Sequence, residues 1–207
     1  MQFPVRARCE RIAGMDIEIV RDDDPRIASL EAAGYRVVGE SWAARLRDPD
    51  RELLASAVLR ASAAGLVVRE LDSSYAEALF ELETANEKDY PYTPATHREV
   101  GDLGRIEALW ADGYRVFGAF DGPLLVAATV IVARPDRAET MFTSVLGDYR
   151  GRGIGQAVKA ASILAFLGDG VQVFGTGGAG VNEASLGANR ALGYVLEERW
   201  RSYAPPA

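Results

Sequence analysis

The turn at residues 150–155 constrains the fold of this chain more than any other feature. It reads Arg-Gly-Arg-Gly-Ile-Gly, and it joins an apolar strand-like segment at 138–146 to an apolar helical pattern at 154–167. Glycines permit a tight turn in which backbone N–H groups approach a ligand closely. The free N–H groups and the dipole at the start of a helix favour negative charge. The sequence therefore predicts a strand-turn-helix unit that binds an anion, for which a diphosphate is the natural ligand.

The apolar patterns on either side of this turn predict a mixed α/β fold. Three strands joined by short Gly/Pro/Asp connections predict an antiparallel meander, and the glycine turn follows the third of them. A later strand is expected parallel to that third strand, which places the turn where α/β proteins usually bind ligands. We expect a mostly antiparallel central sheet with flanking helices. From residue 66 onward the sequence predicts a strand at 66–71, then a helix that begins with a capping box at Ser74 and Glu77, and then a proline-containing loop at 86–101 that borders a substrate mouth. A helix at 102–112 and the three strands of the meander, at 114–120, 124–133 and 138–146, follow. The last predicted elements are a helix at 154–167, a strand at 171–176, a helix at 182–192 and a strand at 194–203.

The composition argues against several classes of function. A net charge of −7 over 207 residues argues against a protein that tracks nucleic-acid phosphates. The longest apolar run, at 124–133, is about half as long as a membrane-spanning helix requires, and charged residues near the start of the chain interrupt any secretory signal core. Cys9 is the single cysteine and His97 the single histidine, so we expect neither an intrachain disulfide nor a metal. We expect a cytoplasmic protein that binds neither nucleic acid nor membrane.

Two motifs resemble the GCN5-related N-acetyltransferase (GNAT) superfamily, and the resemblance extends over residues 66–203. The family signature Arg/Gln-x-x-Gly-x-Gly/Ala matches the turn at 150–155 without a gap. A second family motif resembles the Asn-x-x-Ser-x-x-x-Asn pattern at 182–189, which is followed by a Gly-Tyr pair at 193–194. The chain is also similar to a bacterial subgroup of the family in having Thr143, Val145 and Lys159.

The resemblance implies an acyl-CoA N-acyltransferase fold and an enzyme that transfers acetyl from acetyl-CoA directly to an amine through a tetrahedral intermediate. Acetyl-CoA is then the co-substrate, no metal is required, and the acceptor is a small-molecule or peptide amine. In the family the turn binds the diphosphate, the preceding strand pairs with the pantetheine arm like an added strand, and backbone N–H groups stabilise the oxyanion. The residues implied in cofactor binding are Val145, Leu146, Arg150, Gly151, Arg152, Gly153, Ile154, Gly155, Asn182 and Asn189.

The sequence defines the catalytic residues less well than the cofactor-binding residues. An amine must be neutral to attack, so a carboxylate, or a water held by one, should accept its proton. Glu87, Asp89 and Glu139 are candidates, and each is also explained as a solvated surface charge. Many family members have a tyrosine that protonates the departing thiolate at the position of Asn189, whereas an amide is no acid at neutral pH. Either Ser185 or a nearby water relays the proton, or the thiolate leaves without acid help, or the activity is weak.

Two other functions stay open at this point. One is a non-catalytic acyl-CoA-binding or interaction module that keeps the glycine turn without a working proton path. The other follows from the Gly-x-Gly-x-x-Gly pattern at 175–180, which lies between a predicted strand and a predicted helix as in dinucleotide-binding folds, with Glu197 and Glu198 near the place of a ribose-binding acid. Such a fold needs further β-α units after this point. The sequence predicts only one more strand, which disfavours a dinucleotide site.

A short segment near the start of the chain is similar in sequence to one near its end. Ala-Ala-Gly-Tyr at 32–35 with Trp42 is similar to Ala-Leu-Gly-Tyr at 191–194 with Trp200, which suggests a degenerate half-repeat of the same domain. The family sheet usually ends in two strands after its last helix, and only one is predicted here. We therefore predict that 35–46 supplies the missing edge strand, within the chain or across a homodimer. The predicted divisions are an N-terminal appendage at 1–47, a connecting helix at 48–65 and an acetyltransferase domain at 66–207.

Overall fold

The computed structural model describes residues 8–12, 15–91, 93–96 and 100–206. His97 lies outside the described residues. The described strands are β1 (Arg8–Ile12), β2 (Met15–Arg21), β3 (Arg36–Arg47), β4 (Val67–Leu71), β5 (Tyr114–Asp121), β6 (Leu124–Ala133), β7 (Ala138–Val145), β8 (Val173–Ala179) and β9 (Val195–Ala204). The described α-helices are α1 (Ile27–Ala32), α2 (Arg51–Ala63), α3 (Ala76–Asn86), α4 (Leu103–Ala111), α5 (Ile154–Gly168) and α6 (Glu183–Arg190).

The described strands form one mixed sheet in the order β1-β2-β9-β3-β8-β7-β6-β5-β4. β5, β6 and β7 pair antiparallel in sequence order, which confirms the predicted meander. β7 and β8 are parallel and are connected through α5. The mixed, mostly antiparallel sheet with flanking helices that the sequence predicts is therefore confirmed.

Helices cover both faces of this sheet. On one face α2 and α5 bury Leu54 and Ile163, each with no exposed surface, against β3, β5 and β6. On the other face α3 and α4 bury Leu79 and Ile106 against β4, β5 and β6. Burial of a side chain of this size contributes about 1.5–3 kcal/mol relative to leaving it exposed. The sheet between these layers thereby holds β7 and α5, which carry the glycine turn, in a fixed relation.

The start of α3 differs from the prediction. Asp72, rather than Ser74, supplies the capping carboxylate: its Oδ1 accepts a hydrogen bond of 2.9 Å from the backbone N–H of Ser74. A short 3-10 turn at Ser73–Tyr75 follows, and α3 begins only at Ala76. Asp72 therefore caps the 3-10 turn, whereas Tyr75, the residue before α3, makes no capping hydrogen bond through its side chain. The predicted capping box at Ser74 and Glu77 is wrong.

The position of β3 also differs from the prediction. β3 lies inside the sheet, between β8 and β9, and is not an edge strand. Consecutive residues from Ser41 to Ala44 are buried, which requires cover on both faces and a neighbour on each side. The Trp42 indole Nε1 donates to the carbonyl oxygen of Ala179 at 3.0 Å. The N-terminal third of the chain therefore contributes an interior strand to the sheet that carries the glycine turn.

Candidate functional site

A cavity of about 520 Å³ lies where β7 and β8 separate. The two strands pair only at Ala138 and Glu139 of β7, opposite Phe174 and Gly175 of β8. In the ladder with β6, β7 has a bulge, since Val130 pairs with Phe142 while Ile131 pairs with Thr140. A bulge bends the strand that carries it. Just beyond its pairing with β8, β7 therefore turns away and leaves a fork, whose walls include residues 140–145 of β7 and 176–177 of β8.

The glycine turn closes the open end of this fork. Gly151 and Gly153 have φ angles of 74° and 77°, in the left-handed region that favours glycine. α5 begins after Gly153 without a capping side chain, so its first N–H groups have no partner within the helix. A Cβ on Gly155 would lie 3.2 Å from Val145 Cγ2, which shows how closely α5 approaches β7. We call residues 151–155 the glycine cradle; uncapped N–H groups at the start of a 15-residue helix suit an anion.

Arg150 holds the neighbouring loop in place. Its guanidinium donates to the carbonyl oxygen of Val145 at 2.9 Å and to Oδ1 of Asn86 at 2.7 Å. It also forms an ion pair with Asp89 at 2.9 Å. Asn86, in turn, donates to the Ser144 hydroxyl at 2.7 Å. Arg150 therefore ties the end of α3 and the following loop to β7, and Asn86 and Asp89 both line the cavity, as the sequence predicts for this loop.

A buried polar cluster lies at the closed end of the fork. Lys159, on α5 and 5% exposed, donates through Nζ to Thr176 Oγ1 at 2.9 Å and to the side-chain oxygen of Asn189. The amide nitrogen of Asn189 donates to the carbonyl oxygen of Ser185 at 2.8 Å. Nζ also lies 5.1 Å from the centre of the Tyr194 ring. Both polar atoms of the Asn189 side chain are therefore engaged within the protein, one of them by an ammonium group.

Burial sets the ionisation of this cluster. Desolvation lowers the pKa of Lys159 from 10.5 to about 7, and the Glu139 carboxylate opposes that shift in part. Burial also raises the pKa of Tyr194 well above its usual range. Lys159 therefore lines the cavity with a charge that is balanced close to neutral pH.

The structure brings most of the residues that the sequence proposes into this cavity. Glu139 is not among its lining residues: its carboxylate is buried and ion-paired with Arg137 Nε at 2.6 Å. Leu146 and Arg152 also lie outside the lining, and the Arg152 guanidinium lies over the Tyr149 ring. Asn182 serves as the cap of α6, accepting from the Ser185 N–H at 3.0 Å. The predicted residues that line the cavity are Asp89, Val145, Arg150, Gly151, Gly153, Ile154, Gly155, Asn182, Ser185 and Asn189.

Sequence reasoning did not assign a role to Lys159, Thr140, Thr176 or Asn86, which also line the cavity. One signal could have found the first of these. Of the 23 lysine and arginine residues only Lys88 and Lys159 are lysines, and Lys159 lies in an otherwise apolar helical pattern. A charged residue on a buried helix face is rare unless it is paired.

The second glycine run forms part of a strand. Gly175, Gly177 and Gly178 belong to β8 and pair with β3, so they do not form the strand-to-helix turn of a dinucleotide site. They are required by close packing: a Cβ on Gly178 would lie 2.7 Å from Trp42 Cζ2, and one on Gly175 would overlap the Glu139 carboxylate.

None of the described helices is long and apolar enough to cross a membrane. Within the described residues, no group of three or more His, Cys, Asp and Glu side chains could hold a metal ion.

Solved structures share this fold. No protein-family model matches the sequence, and no curated protein matches it. A GCN5-related N-acetyltransferase from Sphaerobacter thermophilus is similar with a TM-score of 0.68 and 15% identity, over 92% of this chain and 60% of that one. A tandem GNAT protein from the clavulanic acid biosynthesis pathway is similar with a TM-score of 0.61 and 19% identity, over 91% of this chain and 62% of that one.

A shorter solved structure is similar to about two thirds of this chain over nearly its whole length. The ribosomal-protein-S18-alanine N-acetyltransferase from Escherichia coli is similar with a TM-score of 0.50 and 17% identity, over 68% of this chain and 93% of that one. This chain therefore spans less than two thirds of the two longer proteins and nearly all of the shorter one. At these identities the likeness shows the fold, and the function is inferred from the site.

Proposed function

We propose that this chain, which has the fold of the GCN5-related N-acetyltransferases, transfers the acetyl group of acetyl-CoA to an amine. The observation that carries the proposal is the fork between β7 and β8, which opens beside the glycine cradle and, among the described strands, leaves β7 without a partner on that side from Thr140 onward. An unpaired strand edge binds an extended ligand that offers amide groups. The acceptor is proposed to be a small-molecule or peptide amine, and the site of action the cytoplasm.

The dimensions of the fork suit coenzyme A. From Val145, beside the cradle, to Thr140, at the closed end, β7 advances by five residue-to-residue steps and so by about 17 Å. An extended pantetheine arm contains two amide groups and about as many chain bonds as four to five residues. With its diphosphate at the cradle, its thioester would reach Thr140 and Thr176. Acetyl-CoA supplies the activated acetyl group, and the protein supplies binding, orientation and proton transfer.

The residues of the chain divide between these tasks. The cradle N–H groups would bind the diphosphate, and the polar backbone of residues 140–145 would orient the arm. Backbone N–H groups at the bulge would stabilise negative charge on the thioester oxygen. Of the three carboxylates that the sequence proposes as bases, only Asp89 lines the cavity, so we propose that Asp89 faces the acceptor amine. A catalytic role for Glu139, and a proton relay through Ser185 at the start of α6, remain predictions.

A non-catalytic acyl-CoA-binding module is the second candidate. It rests on Asn189, whose amide is no acid at neutral pH and whose two polar atoms both form hydrogen bonds within the protein. The two candidates share the cradle and the fork and differ in proton transfer.

Turnover separates the two candidates. Thiol release from acetyl-CoA would be measured across a panel of primary amines, with mass spectrometry of the amine to detect the acetylated product and reactions without amine to correct for hydrolysis. An acetylated product with any amine establishes the enzyme. Saturable CoA binding without product across the panel supports the module, and absence of CoA binding refutes both.

A further inference from the structure

We propose that the Lys159 ammonium group donates the proton that the sulfur of coenzyme A takes up when the acetyl group leaves. This inference rests on the proposed function, since it concerns the thioester end of the same fork. It assigns the acid that Asn189 cannot supply. Lys159 would then be a catalytic residue, because its Nζ would contact the reacting sulfur.

Lys159 lies at the end of the fork that the thioester would reach. Lys159 lies four residues, about one turn of α5, beyond Gly155 of the cradle, and its side chain lines the cavity. Its partner Thr176 directly follows Gly175, the last residue of β8 that pairs with β7. Nζ is therefore at the closed end of the fork, where an extended ligand bound at the cradle would end.

The residue at this position is a lysine and not an arginine. This chain uses arginine almost everywhere it needs a cation: of 23 basic residues only Lys88 and Lys159 are lysines. Arginine holds the charged positions at the mouth of the cavity, where Arg150 binds Asn86 and Asp89. An arginine cannot release a proton in a protein, whereas a buried lysine can. A lysine at the closed end fits a group that must give up its proton and recover it.

Among the described residues, few charged groups act on Nζ. From β7, the Glu139 carboxylate acts on Lys159, and that carboxylate is itself ion-paired with Arg137. From the segment after α6, the Tyr194 ring faces Nζ, and Arg45 of β3 acts on Tyr194. Thr176 and Asn189 are uncharged acceptors. Burial outweighs Glu139 and lowers the pKa of Lys159 to about 7, so the ammonium form is present at neutral pH and can lose its proton readily.

The transfer is balanced in atoms and electrons. The nitrogen lone pair of the amine forms a bond to the acetyl carbon, and the carbon–sulfur bond breaks with its electron pair remaining on sulfur. Sulfur takes a proton from Lys159 Nζ, which becomes neutral. The nitrogen of the new amide loses one proton to solvent, and Nζ regains one from solvent. The net change moves one proton from amine nitrogen to sulfur.

The test measures the thiol of bound CoA and needs no turnover. Ultraviolet absorbance of the thiolate would be titrated in CoA complexes of the parent protein, Lys159→Met and Lys88→Met, after CoA affinity is measured for each. At and below about pH 7, where Lys159 keeps its proton, an ammonium beside the sulfur should favour the thiolate, so the thiolate fraction there should be at least about tenfold larger in the parent than in Lys159→Met. Lys88→Met, at an exposed position, should match the parent.

A second measurement uses the unaltered chain and covers the case in which Lys159→Met does not fold. With ¹³C-labelled lysine only two side-chain signals are expected, and Lys88→Met assigns them. The pKa of Lys159 should be higher in the CoA complex than in the desulfo-CoA complex, because only CoA places a sulfur beside Nζ. Equal responses to CoA and desulfo-CoA, or equal thiol ionisation in parent and Lys159→Met, overturn the inference while leaving CoA binding intact. Failure of the parent to bind CoA refutes the proposed function and the inference together.

Discussion

Replacement of Lys159 by methionine should remove a pH dependence of stability that the parent protein has between about pH 7 and pH 10. Burial lowers the pKa of Lys159 to about 7, from 10.5 in the absence of the fold. Between these values the unfolded chain binds more protons than the folded one, so the free energy of unfolding rises with pH. A tenfold change in an ionisation constant is about 1.4 kcal/mol, so this group alone should add about 3 kcal/mol from pH 7 to pH 10.

Urea unfolding at several pH values between 7 and 10 measures this effect. Methionine keeps much of the length of the side chain and removes its charge, so the pH-dependent rise should be absent in Lys159→Met. Other titrating groups are present in both proteins and cancel in the difference. Lys88→Met should retain the slope of the parent. Parallel curves for parent and Lys159→Met would show that Lys159 keeps its charge throughout this range, and would refute the reasoning from burial.

Two further substitutions test the packing around the fork. Gly178→Ala should lower the free energy of unfolding by about 1–3 kcal/mol, because its Cβ would lie 2.7 Å from the Trp42 ring; urea denaturation measures the loss, and an unchanged midpoint would show that β3 does not pack there. Arg150→Met should free the loop after α3, since Arg150 bonds both Asn86 and Asp89. Hydrogen exchange at 87–91 should then rise while exchange in α5 stays the same, and unchanged exchange at 87–91 would contradict that role.

Local patterns in the sequence predict most of the elements correctly. The meander of β5, β6 and β7 follows from short turns between apolar runs, and the cradle follows from glycines placed between a strand and a helix. These features depend on neighbours in the chain, so spacing and residue type are sufficient to identify them. The prediction that 35–46 forms a strand of this sheet is also confirmed, since β3 belongs to it.

Contacts between distant parts of the chain explain what the sequence does not predict. β3 is interior because it pairs with β8 and β9, far away in sequence. The glycines at 175 and 178 belong to a run with the spacing of a dinucleotide-binding motif. The structure requires glycine at these two positions for a different reason, which is close packing against Glu139 and Trp42. Likewise, the groups around Lys159 come from β7, β8 and α6. The local sequence marks Lys159 as an unusual charge in an apolar helix but does not identify these partners.

The central claim, that the glycine cradle and the fork bind coenzyme A, is tested most directly by calorimetry of CoA binding to the parent, Gly153→Glu and Gly113→Glu. Gly113 is a matched control, because its φ of 79° resembles the 77° of Gly153 and it does not line the cavity. The glutamate at 153 should add bulk and negative charge where the diphosphate binds. We expect its Kd for CoA to rise at least about 100-fold, or 2.7 kcal/mol, while Gly113→Glu binds as the parent does. A folded Gly153→Glu that binds CoA with the affinity of the parent would contradict the account.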